Sequence, residues 1–109
     1  ESSVRRVLSF LYEQFRNADN AQLKEGLIER KTKELLIVVA CVASGDLVSH
    51  MQLHMHAAHK AGASPEEIME VLDLVGGWIG NVAKIKGLEA WRATFRPDIP
   101  TIDRVVELR

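Results

Sequence analysis

The stretch from Leu35 to Ala43 is nine residues long and wholly apolar, and it constrains the fold more than any other feature of the chain. It is far short of the roughly 20 residues needed to cross a bilayer. A short apolar run rich in Val and Ile can be a buried strand or a buried helix. A strand needs a partner, and no other segment reads as one. A lone strand would leave its N–H and C=O groups unsatisfied. The run is therefore expected to be a helix over about 29–44, opening on the charged Glu29-Arg30-Lys31-Thr32-Lys33-Glu34 and stopped by Gly45. A helix that is apolar all round must be covered on every side.

The flanking segments supply helices to do so. Val4, Leu8, Leu11 and Phe15 recur at helical spacing with Val7 beside them, opposite Arg5, Arg6, Glu13 and Gln14. Asn17, Asp19 and Asn20 read as the loop that ends this helix. A third helix is expected over about 47–61, ended by Gly62. Ser64-Pro65-Glu66-Glu67 then carries the strongest start signal in the chain, a capping box with proline at the first helical position. Ile68, Val71, Leu72 and Val75 form the buried stripe of this fourth helix, and Gly76-Gly77 read as its break. A fifth helix over about 78–94 presents Trp78, Val82, Ile85 and Trp91 for packing, ended by Pro97 and Pro100. Thr101 caps a last short helix carrying Ile102, Val105, Val106 and Leu108. The expected fold is all-α, one domain over 1–109, with five to six helices and no sheet.

Composition excludes several functions. The 109 residues contain one cysteine, Cys41, so neither an intrachain disulfide nor dithiol redox chemistry is open to the chain. The net charge of −1 leaves no basic excess to neutralise phosphates, so nucleic acid is not an expected partner. No segment reads as a membrane span or a signal peptide, although the chain opens on Glu1 rather than Met, and a lone cysteine fits a reducing, cytoplasmic setting. A chain of this size buries only about two-thirds of its unfolded surface. Four or five neighbours then fall short of covering both the Leu35–Ala43 helix and the wide apolar arc of the third helix, so a homo-oligomer is expected.

The third helix holds all four histidines. At steps of about 100° per residue, its apolar arc contains Leu47, Val48, Met51, Leu53, Met55, Ala57, Ala58 and Ala61, with His50 and His54 inside it. His56 faces the solvated side with Ser49, Gln52 and Lys60, and His59 lies near the edge. His50 and His54 stand one turn apart on one face. Three readings stay open for them: an acid–base pair working near neutral pH, a metal site completed by Glu34, or a structural or partner contact. Glu34 by itself reads equally well as a first-turn acid on the helix dipole. Met51, Met55, Trp78 and Trp91 read as core or interface, and Gly76-Gly77 as a turn or close helix approach without a phosphate-binding context.

The order of these signals carries a family resemblance. Lys33-Glu34-Leu35-Leu36 opens the apolar helix; Gly45-Asp46 precedes a helix with His54 eight residues before Gly62; then come Ala61-Gly62-Ala63-Ser64-Pro65-Glu66-Glu67-Ile68, Glu70-Val71-Leu72 and Gly76-Gly77. This pattern, best over 26–91, resembles the carboxymuconolactone decarboxylase family, which includes the alkylhydroperoxidase D-like proteins. The resemblance implies an alkylhydroperoxidase D-like helical bundle and, by precedent, a trimer or hexamer. In the peroxidase branch a Cys-x-x-Cys motif is followed four residues later by histidine, with a glutamate on the preceding helix. Here His54 matches the histidine, Leu47 and His50 take the two cysteine places, and Glu34 matches the glutamate with an intervening loop one residue longer. Leu47 can neither attack a peroxide nor resolve a sulfenate. Cys41, in an apolar helix, is expected to be slowed by burial. Peroxidase activity is not carried over.

In the decarboxylase branch the place of His50 is often glutamate and the histidine matching His54 is kept; Ile79 stands where a proline is often found. The leading expectation is a cofactor-free lyase acting on a small organic acid or lactone, with His54 as acid–base residue, His50 assisting and Glu34 as orienter or proton relay. The alternatives are a non-catalytic oligomeric binding or assembly protein of the same fold, and a metal-dependent enzyme using His50, His54 and Glu34.

Overall fold

A computed structural model describes residues 2–22, 26–101 and 103. The described residues form five helices: α1 (Ser2–Gln22), α2 (Arg30–Ala43), α3 (Val48–Lys60), α4 (Pro65–Ile79) and α5 (Asn81–Phe95). No strand occurs among the described residues, and no helix of theirs is long and apolar enough to cross a membrane. The chain divides into two compact units, 1–30 and 31–109.

In the first unit, α1 runs past the loop expected at Asn17, Asp19 and Asn20. Asn and Asp favour caps, but the preference is weak, and good helix formers such as Arg16, Ala18, Ala21 and Gln22 surround them here. The described side chains of its apolar positions, Val4, Val7, Leu8 and Leu11, are exposed; that of Phe15 lies outside the described residues.

In the second unit one apolar cluster joins four helices. Val38, Cys41 and Val42 come from α2, Met51, Met55 and Ala58 from α3, Ile68 and Leu72 from α4, and Ala90 from α5. α5 lies closest against α3 and α4. Trp91 on α5 donates its indole N–H to the Pro65 carbonyl at 2.7 Å, which pins α5 to the start of α4. Gly87 sits where α5 crosses the others; a Cβ there would meet Val42 at 3.0 Å and Leu72 at 3.2 Å.

The start of α4 matches its sequence signal. Ser64 Oγ accepts from the Glu67 N–H and Glu67 Oε1 accepts from the Ser64 N–H, each at 3.0 Å. Lys31 Nζ reaches Glu67 Oε2 at 2.6 Å and ties this cap to α2. The end of α4 differs from the expectation. The helix continues through Gly76-Gly77 and stops at Gly80, which adopts φ 95°. Gly76 is used for close approach: the stem of Lys84 lies across it, 2.6 Å from where a Cβ would be, and Lys84 Nζ reaches Asp73 at 3.3 Å. α5 consequently starts three residues later than expected.

The residues expected to pack from the fifth helix divide between core and surface. Trp91 packs against the core, but Trp78 (88% exposed), Val82 and Ile85 face outward. Leu47 and Leu53, placed in the apolar arc of the third helix by spacing, are exposed as well. The short helix expected after Thr101 falls outside the described residues save Asp103.

Candidate functional site

α3 begins at an unusual cap. Leu47 holds the N-cap position in extended conformation and has no side chain able to accept a hydrogen bond. The residue before it supplies the oxygen: Asp46 Oδ1 accepts from the Leu47 N–H at 2.7 Å. Gly45, at φ 69°, turns the chain out of α2 and into this arrangement. Asp46 is thereby fixed one turn before His50.

The second carboxylate oxygen of Asp46 contacts Nδ1 of His50. His50 and the Leu47 N–H together hold the Asp46 carboxyl below its ordinary value of 3.8. With Nδ1 engaged, His50 turns Nε2 toward the next turn of α3. There it meets His54 Nε2 at 3.1 Å, the two rings packed edge to face with centroids 4.6 Å apart. Between two ring nitrogens at that distance one must donate and the other accept. Asp46, His50 and His54 therefore form one continuous hydrogen-bonded line on α3.

Burial falls off along this line. His54 is buried at 8% relative exposure, while His50 and Asp46 are partly open, each with 31% of its side chain exposed. Behind the histidines lies Cys41 of α2, also buried at 8%. Its sulfur and one ring nitrogen from each of His50 and His54 lie within 4.8 Å of one another. The thiol is also within hydrogen-bonding reach of the Asp46 carboxylate.

Glu34 is buried at 1% exposure. It is the fifth residue of α2, so it is not the solvated first-turn acid that the helix-dipole reading describes. It stands seven positions before Cys41, which places the two on one face of α2. Among the described residues, the donor group that comes together is Cys41, His50 and His54. Glu34, named from the sequence as the third metal ligand, is not part of it.

The other two histidines stand apart. His56 and His59 are exposed; His59 Nδ1–H donates to the Ala63 carbonyl at 2.8 Å and its ring packs on Phe95. They line a surface cleft of about 410 Å³ with Trp91, Phe95 and Arg96. A larger cleft, about 540 Å³, lies between Leu35 on α2 and Glu67, Glu70, Val71 and Leu74 on α4. Neither is lined by His50 or His54.

Two members of the site were not singled out from the sequence. Asp46 enters the sequence pattern only as the residue before the third helix, although its spacing of four from His50 is visible there. Cys41 was assigned to apolar packing, because a sequence position says nothing of the polar groups brought to it from another helix.

With the helix order, the capped α4 and the histidine pair in place, the comparison with known sequences is decisive. Residues 11–93 match the sequence profile of the carboxymuconolactone decarboxylase family. The chain belongs to that family. No curated protein and no solved structure matches it. This member of the family carries Cys41 alone, without a Cys-x-x-Cys pair.

Proposed function

We propose that this carboxymuconolactone decarboxylase-family protein is an acid–base enzyme acting on a small organic acid or lactone, with His50 and His54 holding the transferable proton. The observation that carries this reading is the 3.1 Å contact between the two Nε2 atoms, with Asp46 on the far nitrogen of His50. A carboxylate on Nδ1 fixes the ring and its tautomer and stabilises the imidazolium. In a decarboxylation, the C–C bond to the carboxylate breaks, CO₂ leaves, and the electron pair stays on the substrate as an enolate-type carbanion. The substrate carbon then takes the proton that the imidazole pair holds, and the pair regains one from solvent. His50, the more exposed ring, faces the substrate; His54, the more buried, shares and returns the proton. That order reverses the one suggested by sequence, in which His54 led.

Glu34 serves as an orienter or relay from α2. A carboxyl is costly to bury unless its surroundings compensate it, which supports a role beyond the helix dipole. The substrate pocket is completed by a second copy of the chain in a trimer or hexamer. Exposed apolar side chains on α4 and α5, Leu74, Trp78 and Val82, favour such an assembly.

The test is a screen of small lactones and unsaturated carboxylic acids for CO₂ release or lactone loss, followed by His50→Gln and His54→Gln in the responding assay. General acid–base catalysis contributes roughly 10²–10⁴-fold, so each variant is expected to lose activity on that scale while retaining its helical circular dichroism. Unchanged turnover in both variants would overturn the assignment. A thorough screen with no turnover would favour the non-catalytic binding or assembly reading.

A further inference from the structure

Cys41, His50 and His54 come from two helices, and their three donor atoms lie within 4.8 Å of one another. Tetrahedral zinc binds nitrogen at about 2.0–2.1 Å and sulfur at about 2.3 Å, which places ligand atoms roughly 3.3 Å (N to N) and 3.6 Å (N to S) apart. The observed Nε2 to Nε2 separation is 3.1 Å. The two imidazoles already stand near metal-ligand spacing, and the Cys41 sulfur, within 4.8 Å of them, closes on a metal by a side-chain movement. The outer shell is already in place. A metal-binding histidine commonly donates its other ring N–H to a carboxylate, and Asp46 stands on His50 Nδ1. A site built of one thiolate and two imidazoles suits zinc and similar borderline-soft cations and disfavours magnesium and calcium.

We infer that Cys41 Sγ, His50 Nε2 and His54 Nε2 form a three-ligand site for Zn²⁺, with a fourth position open to water or an anionic ligand. The ligand set differs from the one that the sequence suggested, since Cys41 replaces Glu34. On binding, the Cys41 thiol gives its proton to solvent and its sulfur binds the metal. His50 keeps its proton on Nδ1, facing Asp46. His54 carries its proton on Nδ1, leaving Nε2 to the metal. The two Nε2 atoms cannot hold a metal and share a proton at once, so a metal-loaded chain cannot run the proton transfer proposed above. The binding claim is independent of that reaction, because it is read without any substrate.

The experiment titrates the full, untagged, reduced chain with Co²⁺ as a spectroscopic probe, followed by displacement with Zn²⁺. Expected are the intense visible bands of tetrahedral cobalt, a near-ultraviolet thiolate-to-cobalt charge-transfer band, one metal per chain, and bleaching on addition of one equivalent of Zn²⁺. Cys41→Ala abolishes the charge-transfer band. Cys41→Ala and His54→Gln each weaken binding by more than the roughly 10–100-fold that loss of an outer-shell partner costs, while Asp46→Asn falls within that range. His56→Ala and His59→Ala leave the titration unchanged. Circular dichroism identifies any variant that fails to fold, and the charge-transfer band of the unmodified chain gives a readout needing no variant. Absence of that band, or loss of binding in the His56 or His59 variants instead, overturns the proposal.

Discussion

Asp46 and His50 stand one helical turn apart with the carboxylate on Nδ1, and this single contact decides which nitrogen His50 turns toward His54. An imidazole without such an anchor can place its one proton on either nitrogen. The anchored ring cannot do so freely. In the neutral pair His50 is expected to carry its proton on Nδ1, and His54 to carry its proton on Nε2. Long-range ¹H–¹⁵N spectra of the histidine rings read this directly. In Asp46→Asn, whose amide can also donate a hydrogen bond, His50 should become a mixture of tautomers. A His50 ring protonated on Nε2 in the unmodified protein would contradict the proposed line.

Acid should weaken the α2–α4 junction. Lys31, and then the Ser64 N–H, hold the Glu67 carboxyl below its ordinary value of 4.5. A carboxyl whose folded value is depressed contributes stability that is present above the unfolded value and lost as pH falls through the folded one. The melting temperature should therefore fall as pH drops below about 4.5, with Asp46 adding to the loss below its own ordinary value of 3.8. Glu67→Gln should flatten the upper part of this slope, since glutamine keeps the cap but not the charge. Ser64→Ala should cost about 0.5–2 kcal/mol at neutral pH. Thermal melts across the acid range check both; a Glu67→Gln profile parallel to that of the unmodified chain would contradict the assignment.

The sequence was informative where physics is local. The Ser64–Glu67 cap, the helical character of the Leu35–Ala43 run and the shared face of His50 and His54 follow from spacing and neighbouring residues, and the structure has each of them. It was less informative where one helix decides the environment of another. Cys41 reads as apolar packing until α3 brings two imidazoles to it. Glu34 reads equally well as a dipole acid or a site residue until its side chain is seen to be buried at 1% exposure. Gly76-Gly77 read as a break, although Gly76 is spent on the passage of Lys84 and the helix ends at Gly80. That difference puts Trp78 on α4, away from the buried Ile68, Leu72 and Gly76, whereas Val82 lies outward because at helical spacing it falls on the opposite face of α5 from the packed Trp91.

Gly87 should not tolerate a large side chain. In an exposed helix interior, replacing glycine by a better helix former gains up to about 1 kcal/mol. Here the position is buried, and even a Cβ would approach Val42 at 3.0 Å and Leu72 at 3.2 Å. Overpacking of this kind costs roughly 1–3 kcal/mol. Gly87→Leu should therefore lower stability by at least that amount in urea unfolding, whereas Gly77→Ala, with open space around it, should be neutral or slightly stabilising. Equal stability of Gly87→Leu and the unmodified chain would mean that α5 does not sit this closely on α2 and α4.

The exposed face of α4 and α5 should mediate self-association. Leu74 and Trp78 lie one turn apart on α4 with 69% and 88% exposure, and Val82 and Ile85 follow on α5 with 79% and 49%. Scattered apolar residues are normal on a surface, but four large ones within twelve residues are less so. Tryptophan is also the residue type that most often anchors an interface. Multi-angle light scattering should give a mass that is a multiple of the 12.2 kDa chain, and Trp78→Lys should shift it toward the single chain without loss of helical signal. The substitution places a charge where the partner would bury it, so even a small interface cannot absorb it cheaply. A 12.2 kDa species at micromolar concentration in the unmodified protein would show that this face has another use. An oligomer insensitive to Trp78→Lys would place the contact elsewhere, with exposed Leu36 and Leu53 the next residues to change.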